Sequence, residues 1–540
     1  MRRVNQAELE AALSLPHRPA QNPDPLYGQP ELKAALSLLL AGKAPLFLVT
    51  PPGFDEEGHL GGFLKPRLAA LPPDPALALL PRGERLELVQ GSPKEGRLLR
   101  PAGPPAFRFL PEPEETTLFG RFLPRSTPRG AVLTYEDYEP GALLEVGSGV
   151  LLISAEALAR RPGLAEALLS AVRRGGYTPS PPPAVPAPAF PELPVKARLL
   201  VAAPAEAIEA LPLPQEAWVV AARETLAADR RSLSWLWGYL RTRTGRLSRK
   251  EFRSLASWLR RQAGHREKIS LELKPLYPLL AARKRGLSLE EALRRLEEAK
   301  QAPLARFLEE LREGLWTLEL TGRRVGEAVG LLVIEEVGGS YGRPARITAS
   351  AAPGREGVVS IEREVQLAGP LFGKAVLTLA GYLRRRYAEV GPLSASIQIV
   401  FEQTSEAIDG DSAGLAELLA VLSALSGLPL RQDRAITGAV DQTGRVLPVG
   451  GIPEKAEGLV AAARALGAPG VGLLLPRANL PHLIAEGALR EALAEGFLEV
   501  YAVETVDEAI ELAFGRSPSR VHRAVAERLS AFKKLEDGER

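Results

Sequence analysis

Phe401-Glu402-Gln403-Thr404-Ser405-Glu406-Ala407-Ile408-Asp409-Gly410-Asp411-Ser412-Ala413-Gly414 is the stretch around which this chain is organised, and its focus is Ser412. Upstream, Ala395 to Phe401 alternates and β-branches as a strand does. Downstream, Leu415 to Leu422 is helix-forming and apolar almost all round, so that helix is expected to be buried. Ser412 therefore stands at a loop-to-helix junction, at or just inside the positive end of the helix. Free backbone N–H groups and the helix dipole favour negative charge there, which suits a developing oxyanion near Asp411 and Ser412. Gly410 and Gly414 leave room for another backbone to approach.

A second stretch, Thr443-Gly444-Arg445-Val446-Leu447-Pro448-Val449-Gly450-Gly451-Ile452-Pro453-Glu454-Lys455, reads as a hairpin-like turn, a short apolar strand, a Gly-Gly loop and a proline suited to a first helical turn. It delivers Lys455 to another helix start. Helix N-termini and apolar neighbours such as Val449 and Ile452 disfavour an ammonium ion, so the lysine pKa is expected to fall from about 10.4. A neutral amine is what a general base must be, and a lysine tuned to roughly 7–8 accepts a serine hydroxyl proton.

These residues resemble the Lon protease family. Asp409-Gly410-Asp411-Ser412-Ala413 is similar to the nucleophile motif of its archaeal-type branch, and Leu447-Pro448-Val449-Gly450-Gly451 with Glu454-Lys455 to its lysine motif. Between them, Ile436-Thr437-Gly438 matches the family's Thr-Gly step. The resemblance runs over roughly 320–515 and includes Gly342-Arg343-Pro344 and Ile361-Glu362-Arg363-Glu364. Pro453 is a departure, standing where many members carry a polar residue. The resemblance implies a Ser412–Lys455 dyad in which Thr437 orients the lysine amine. Asp409 is expected to shape the loop or pair with a cation rather than move a proton, and Asp411 to support the same loop. A substrate chain is expected to add as a strand beside the 396–402 segment.

Composition bounds the alternatives. At 540 residues, 45% hydrophobic and 25% charged, the chain reads as two to four globular domains. With no cysteine, disulfides, thiolate zinc sites and a cysteine nucleophile are excluded, which fits a cytoplasmic protein. No metal or cofactor is expected, since His17, His59, His265, His482 and His522 form no pair at metal-ligand spacing and none is near Ser412 or Lys455 in sequence. All five are expected to be structural or solvated. No run of about eighteen apolar residues occurs, and the start, Met1 to Gln6, has no apolar signal core, so no membrane span is expected. A formal charge of +3 and arginine clusters without interleaved aromatics point away from nucleic acid.

The N-terminal half resembles a AAA+ ATPase module. Tyr27-Gly28-Gln29-Pro30 precedes a helix to about Leu40, Pro45 to Thr50 is a buried-type strand, and Pro51-Pro52-Gly53 follows. A working phosphate loop continues with a lysine and a hydroxyl residue. Here Phe54-Asp55-Glu56-Glu57-Gly58-His59 follows instead. At the strand Gly149 to Ser154, where the family carries Asp-Glu, this chain has Ser154-Ala155. Both losses oppose ATP hydrolysis.

The expected organisation is multidomain, α/β and α+β. Residues 1–225 form a degenerate AAA+-like α/β domain with a proline-rich loop at 179–194 running as exposed polyproline-like chain. Residues 226–316 form a helical lid-like subdomain. Residues 317–540 form a Lon-type protease domain ending in a basic amphipathic helix, Val521 to Phe532, that packs on a neighbouring domain or subunit. The resemblance implies an ATP-independent serine endopeptidase that degrades unfolded polypeptides inside a homo-hexameric chamber. The alternatives are a non-catalytic chaperone-like homologue and an ATP-dependent protease with an altered nucleotide site.

Overall fold

The structure is a computed structural model and describes residues 3–538 apart from 10–12, 43, 84, 93, 128–129, 182–184, 186–187, 284–285, 337–338 and 405–406. The chain forms two compact units, one of Ser14–Leu259 and Ile269–Gly286, the other of Met1–Leu13, Arg260–Lys268 and Leu287–Arg540. No helix of the described residues is long and apolar enough to cross a membrane.

The first unit is built on a five-stranded parallel sheet in the order Trp218–Ala221, Leu46–Val49, Arg198–Ala203, Val150–Ser154, Phe107–Leu110. Strands in such a sheet are covered on both faces, which is why they read as unbroken apolar runs. Phe47, Leu151 and Ile153 enter one core, and Leu46, Leu48, Val150 and Leu152 the other. Ser154 ends its strand and stands at the N-cap position of the short helix Ala155–Ala159 without a side-chain capping bond.

Within the proline-rich stretch 179–194, residues 182–184 and 186–187 lie outside the described residues. The remainder corrects the expectation of an exposed run. Leu193–Pro194 pairs antiparallel with Gly176–Tyr177, and Phe190 is buried against Phe122 and Tyr138, with ring centroids 5.0 and 5.5 Å away. Two apolar side chains, Phe190 and Leu193, anchor a segment whose prolines alone would leave it solvated.

The helical stretch 226–316 is not one unit. Its first part belongs with the parallel sheet, because Arg230–Thr244 buries Trp235, Leu236 and Tyr239, and Trp235 Nε1 donates to the Asp24 carbonyl at 2.6 Å. Its last part belongs with the C-terminal unit, because Leu304, Phe307 and Leu311 on Ala302–Arg312 join that unit's core.

The C-terminal unit holds a seven-stranded mixed sheet in the order Gly357–Ser360, Ser396–Phe401, Gly339–Ala352, Glu327–Glu336, Arg434–Ile436, Val471–Pro476, Leu498–Val503. Side chains alternate between two cores. Ala328, Ile436 and Leu474 face one with the helix Gly414–Ser426, while Val329, Ala435 and Leu473 face the other with the helix Ile452–Ala465. The two helices thus cover opposite faces of one sheet. The C-terminal helix Pro518–Gly538 corrects its expectation. Val521, Val525, Leu529 and Phe532 pack on Gly414–Ser426 in the unit's own core, leaving the charged side chains outward.

The helix Ile452–Ala465 crosses the strand Gly339–Ala352 at a glycine pair. A methyl on Gly342 would lie 2.0 Å from the Glu454 carbonyl oxygen, and one on Gly458 1.9 Å from the Gly342 carbonyl oxygen. Only backbone fits between them. Gly342→Ala is expected to destabilise the protein by about 1–3 kcal/mol through overpacking. Gly373→Ala, inside the helix Pro370–Arg386 with open space at its Cβ, should stabilise by roughly 0.5–1 kcal/mol. Denaturant titration of the two variants checks both signs, and an unchanged midpoint for Gly342→Ala would contradict the close crossing.

Candidate active site

The strand Arg434–Ile436 is only three residues long, and the chain departs from it at Thr437-Gly438. Thr437 N still donates to the Leu474 carbonyl at 3.0 Å, but Gly438 takes a φ of 149° and turns away. This departure ties down the serine loop. Gly438 N donates to the Ser412 carbonyl oxygen at 2.8 Å, Thr437 Oγ1 donates to the same oxygen at 3.1 Å, and Leu415 N donates to the Gly438 carbonyl at 2.9 Å. Ser412 itself stands two residues before the first helical residue, Gly414, outside the helix rather than in its first turn.

Asp409 faces away from this chemistry. Its Oδ1 accepts from Leu371 N at 3.0 Å, Phe372 N at 3.1 Å and Gly410 N at 2.9 Å, so it caps the first turn of Pro370–Arg386. Those amide bonds, led by the one from Phe372, hold its carboxyl below the usual carboxylate range. Asp411 is exposed and acts on the site through its charge, which opposes the fall in the Lys455 pKa.

Lys455 is the fourth residue of Ile452–Ala465 and is 1% exposed. Its Nζ donates to Thr437 Oγ1 at 3.1 Å. Thr437, fully buried, therefore accepts from the lysine and donates to the Ser412 carbonyl, linking the lysine helix to the serine loop through one hydroxyl. Burial lowers the lysine pKa from 10.5 to about 8, against the opposing charges of Glu454 and Asp411. The expected direction is found, and its main cause is desolvation.

Ser412 and Lys455 line one open cavity of about 1280 Å³. Asp409, Asp411 and the strand residues Leu332 to Glu336 contribute to its wall. The strand Ser396–Phe401 does not present an edge for substrate. Gly339–Ala352 pairs with it on one side and Gly357–Ser360 on the other, and Phe401 N donates to Glu362 Oε1 at 2.7 Å. The strand Glu327–Glu336 meets Arg434–Ile436 only at Val329 and Gly330, so among the described residues its Leu331–Glu336 half is unpaired on that side.

Two residues here were not expected from the sequence. His482 lines the cavity, and its ring meets His265 edge-on with centroids 5.0 Å apart, a pairing that a separation of 217 positions conceals. Glu417, on the buried helix after Ser412, has neither carboxyl oxygen hydrogen-bonded among the described residues, and burial followed by repulsion from Glu362 pushes it up to about 8. A lone acid in an otherwise apolar helix was its only signal. No group of three or more His, Cys, Asp or Glu that could hold a metal ion occurs among the described residues.

Residues 324–516 match the Lon protease (S16) C-terminal proteolytic domain. A Lon protease homologue of Escherichia coli (strain K12) is 34% identical over 233 residues, 42% of this chain and 40% of that protein. One of Haemophilus influenzae is 35% identical over 221 residues, 40% of this chain and 37% of that protein. An archaeal Lon protease of Pyrococcus abyssi is 30% identical over 271 residues, 48% of this chain and 26% of that protein. The chain thus matches less than half the length of each of these relatives. Residues 324–516 are thus similar to the Lon-type (S16) proteolytic domain, and through them the chain is similar to the archaeal-type Lon proteases.

Proposed function

We propose that this protein is a serine endopeptidase that works without ATP on unfolded polypeptides, with Ser412 as nucleophile and Lys455 as general base. The observation that carries the reading is a buried lysine with its pKa lowered to about 8, in the same cavity as a serine on a braced loop. Ser412 Oγ attacks the scissile carbonyl as its proton passes to the neutral Lys455 amine. The resulting ammonium then protonates the leaving amine, giving an acyl-enzyme on Ser412. Lys455, neutral again, takes a proton from the water that releases the acid. Thr437 aims the amine through the 3.1 Å bond. An extended chain would pair with the open edge at Leu331–Glu336, whose backbone supplies affinity without demanding a sequence.

Independence from ATP is supported by what fills the would-be phosphate position. A helix N-terminus after a parallel strand is a natural anion site. At Glu56–Ala69 the occupant is the chain's own Asp55, whose Oδ1 accepts from Gly58 N at 3.0 Å. Its Oδ2 accepts from the hydroxyls of Tyr239 and Tyr277 and lies 3.4 Å from Arg243 Nη2. Burial would raise the Asp55 pKa, but these hydrogen bonds and the arginine charge outweigh it and keep the carboxylate ionised. The Gly58 amide that a phosphate there would use is taken. Numbered along the chain, the parallel strands stand in the order 5-1-4-3-2, which is consistent with the resemblance of this region to a nucleotide-binding module. The likeness to Lon proteases supports assembly into a homo-hexameric chamber, and such a ring without ATP hydrolysis would have no force to unfold a stable substrate.

Ser412→Ala is expected to abolish digestion of an unfolded protein, and retained turnover would remove Ser412 from its role. The rate should rise with pH through about 8, where Lys455 becomes neutral, and Lys455→Met should be inactive. Because the folded pKa lies below the unfolded one, the buried ammonium destabilises the fold at neutral pH, by about 3 kcal/mol at roughly 1.4 kcal/mol per pH unit. Lys455→Met should therefore be more stable than the parent at pH 7, with the gain shrinking as pH rises from 8 to 10.5. A methionine variant less stable at pH 7 would argue against a desolvated lysine. Calorimetric titration with ATP and magnesium should give no binding heat and leave the digestion rate unchanged. Micromolar affinity or several-fold stimulation would instead mark an energy-dependent protease.

A further inference from the structure

We infer that Asn479 is a positioning residue that clamps the Val449–Gly451 loop and so holds Lys455 in the cavity. The inference rests on the Ser412–Lys455 reading and adds to it the element that aims the base. Between the short strand Val446–Leu447 and the helix Ile452–Ala465, Pro448 to Gly451 belong to no regular element. Four such residues have many conformations, and ordering them opposes their entropy. Yet the helix start must be held, because Lys455 is its fourth residue.

Asn479 holds it from behind. It lies in the 3-10 turn Arg477–His482 that follows the strand Val471–Pro476, and it is 1% exposed. Its Oδ1 accepts from Val449 N at 2.8 Å and its Nδ2 donates to the Val449 carbonyl at 2.8 Å. The side-chain amide thus acts as a one-residue strand, satisfying both backbone groups of Val449. Nδ2 also lies 3.4 Å from His482 Nδ1, which accepts its second N–H when the imidazole carries its proton on Nε2. On its other side the loop is pressed against the cavity wall. Gly451 adopts a φ of 68°, and a Cβ there would fall 2.3 Å from Val333 Cγ2. Val449, Gly450 and His482 line the cavity, whereas Asn479 stands behind them.

The geometry has a consequence for the chemistry. Lys455 has a lowered pKa because it is buried, and it stays buried only while the loop before its helix is closed. Glu454 and Asp411 are the charged groups that act on its amine, and both favour the ammonium. A loosened loop admits water, and the amine then titrates closer to an ordinary lysine. Loss of Asn479 should therefore lower kcat and move the pH profile upward, with little change in KM.

The test uses the full chain with Asn479→Ala, Asn479→Asp and the milder Asn479→Ser, beside Ser412→Ala. Amide hydrogen exchange at 449–455 is expected to speed up at least about tenfold in Asn479→Ala, with the strand Ser396–Phe401 unchanged. Digestion of an unfolded protein should lose at least about tenfold in kcat, with KM within about twofold and the rising limb of the pH profile displaced upward. Asn479→Ser, whose single shorter hydroxyl replaces the two amide groups, should fall between and serves if the other variants do not fold. Unchanged exchange at 449–455 would overturn the clamp. Faster exchange with parental kcat and pH profile would overturn the link to Lys455. Activity retained in Ser412→Ala would sink the dyad reading itself, and the exchange rates would then still decide whether Asn479 holds the loop.

Discussion

An ammonium ion taken out of water loses solvation worth several kcal/mol unless something replaces it, and Lys455 is sealed in with the Thr437 hydroxyl as its hydrogen-bond partner. The surroundings of that lysine are the features that maintain this state. Gly342 and Gly458 let its helix lie backbone to backbone against the sheet. Thr437 bridges it to the serine loop, and the loop is in turn braced by Gly438 and by its own Asp409, which accepts from the start of the helix Pro370–Arg386. A looser fold would leave an ordinary charged lysine.

The sheet explains how two helices on opposite faces can serve one cavity. Arg434–Ile436 ends after three residues, while its neighbour Glu327–Glu336 continues. Beyond that end, the loop before Gly414–Ser426 and the start of Ile452–Ala465 both line the cavity. Among the described residues, the same short strand leaves Leu331–Glu336 unpaired on that side, and Leu332 to Glu336 line the cavity wall. Site and groove have a single topological cause.

Much of this was legible because short-range signals agreed. Gly444, Gly451 and Pro453 mark a turn, a left-handed cap and a first helical turn, and each stands where the sequence reading expected it. The buried helix after Ser412 was expected from eight apolar-dominated residues, and the strand Leu46–Val49 from its unbroken run. Where the reading missed, a long-range contact was decisive. The strand Ser396–Phe401 carried the right alternation for an edge, but Gly357–Ser360, nearly forty residues earlier, covers it. The helix Val521 to Phe532 had an apolar face whose partner proved to be its own unit. The helical stretch from 226 onward looked uniform, yet Trp235 and Phe307 belong to different cores.

By itself the sequence determined the residue types, their spacing and the local turns: a serine before a buried helix, a lysine in the first turns of another, and acids where a phosphate loop needs a lysine. These depend on φ preferences, periodicity and charge, which act within a few residues. Only the tertiary structure decided that Lys455 is dry, that Thr437 lies between it and the Ser412 carbonyl, that Asp55 has two tyrosines and an arginine around it, and that Asn479 backs the loop. Desolvation and hydrogen-bond geometry belong to the space between elements, where residues such as Tyr239 and Asp55, 184 positions apart, come within 3.1 Å.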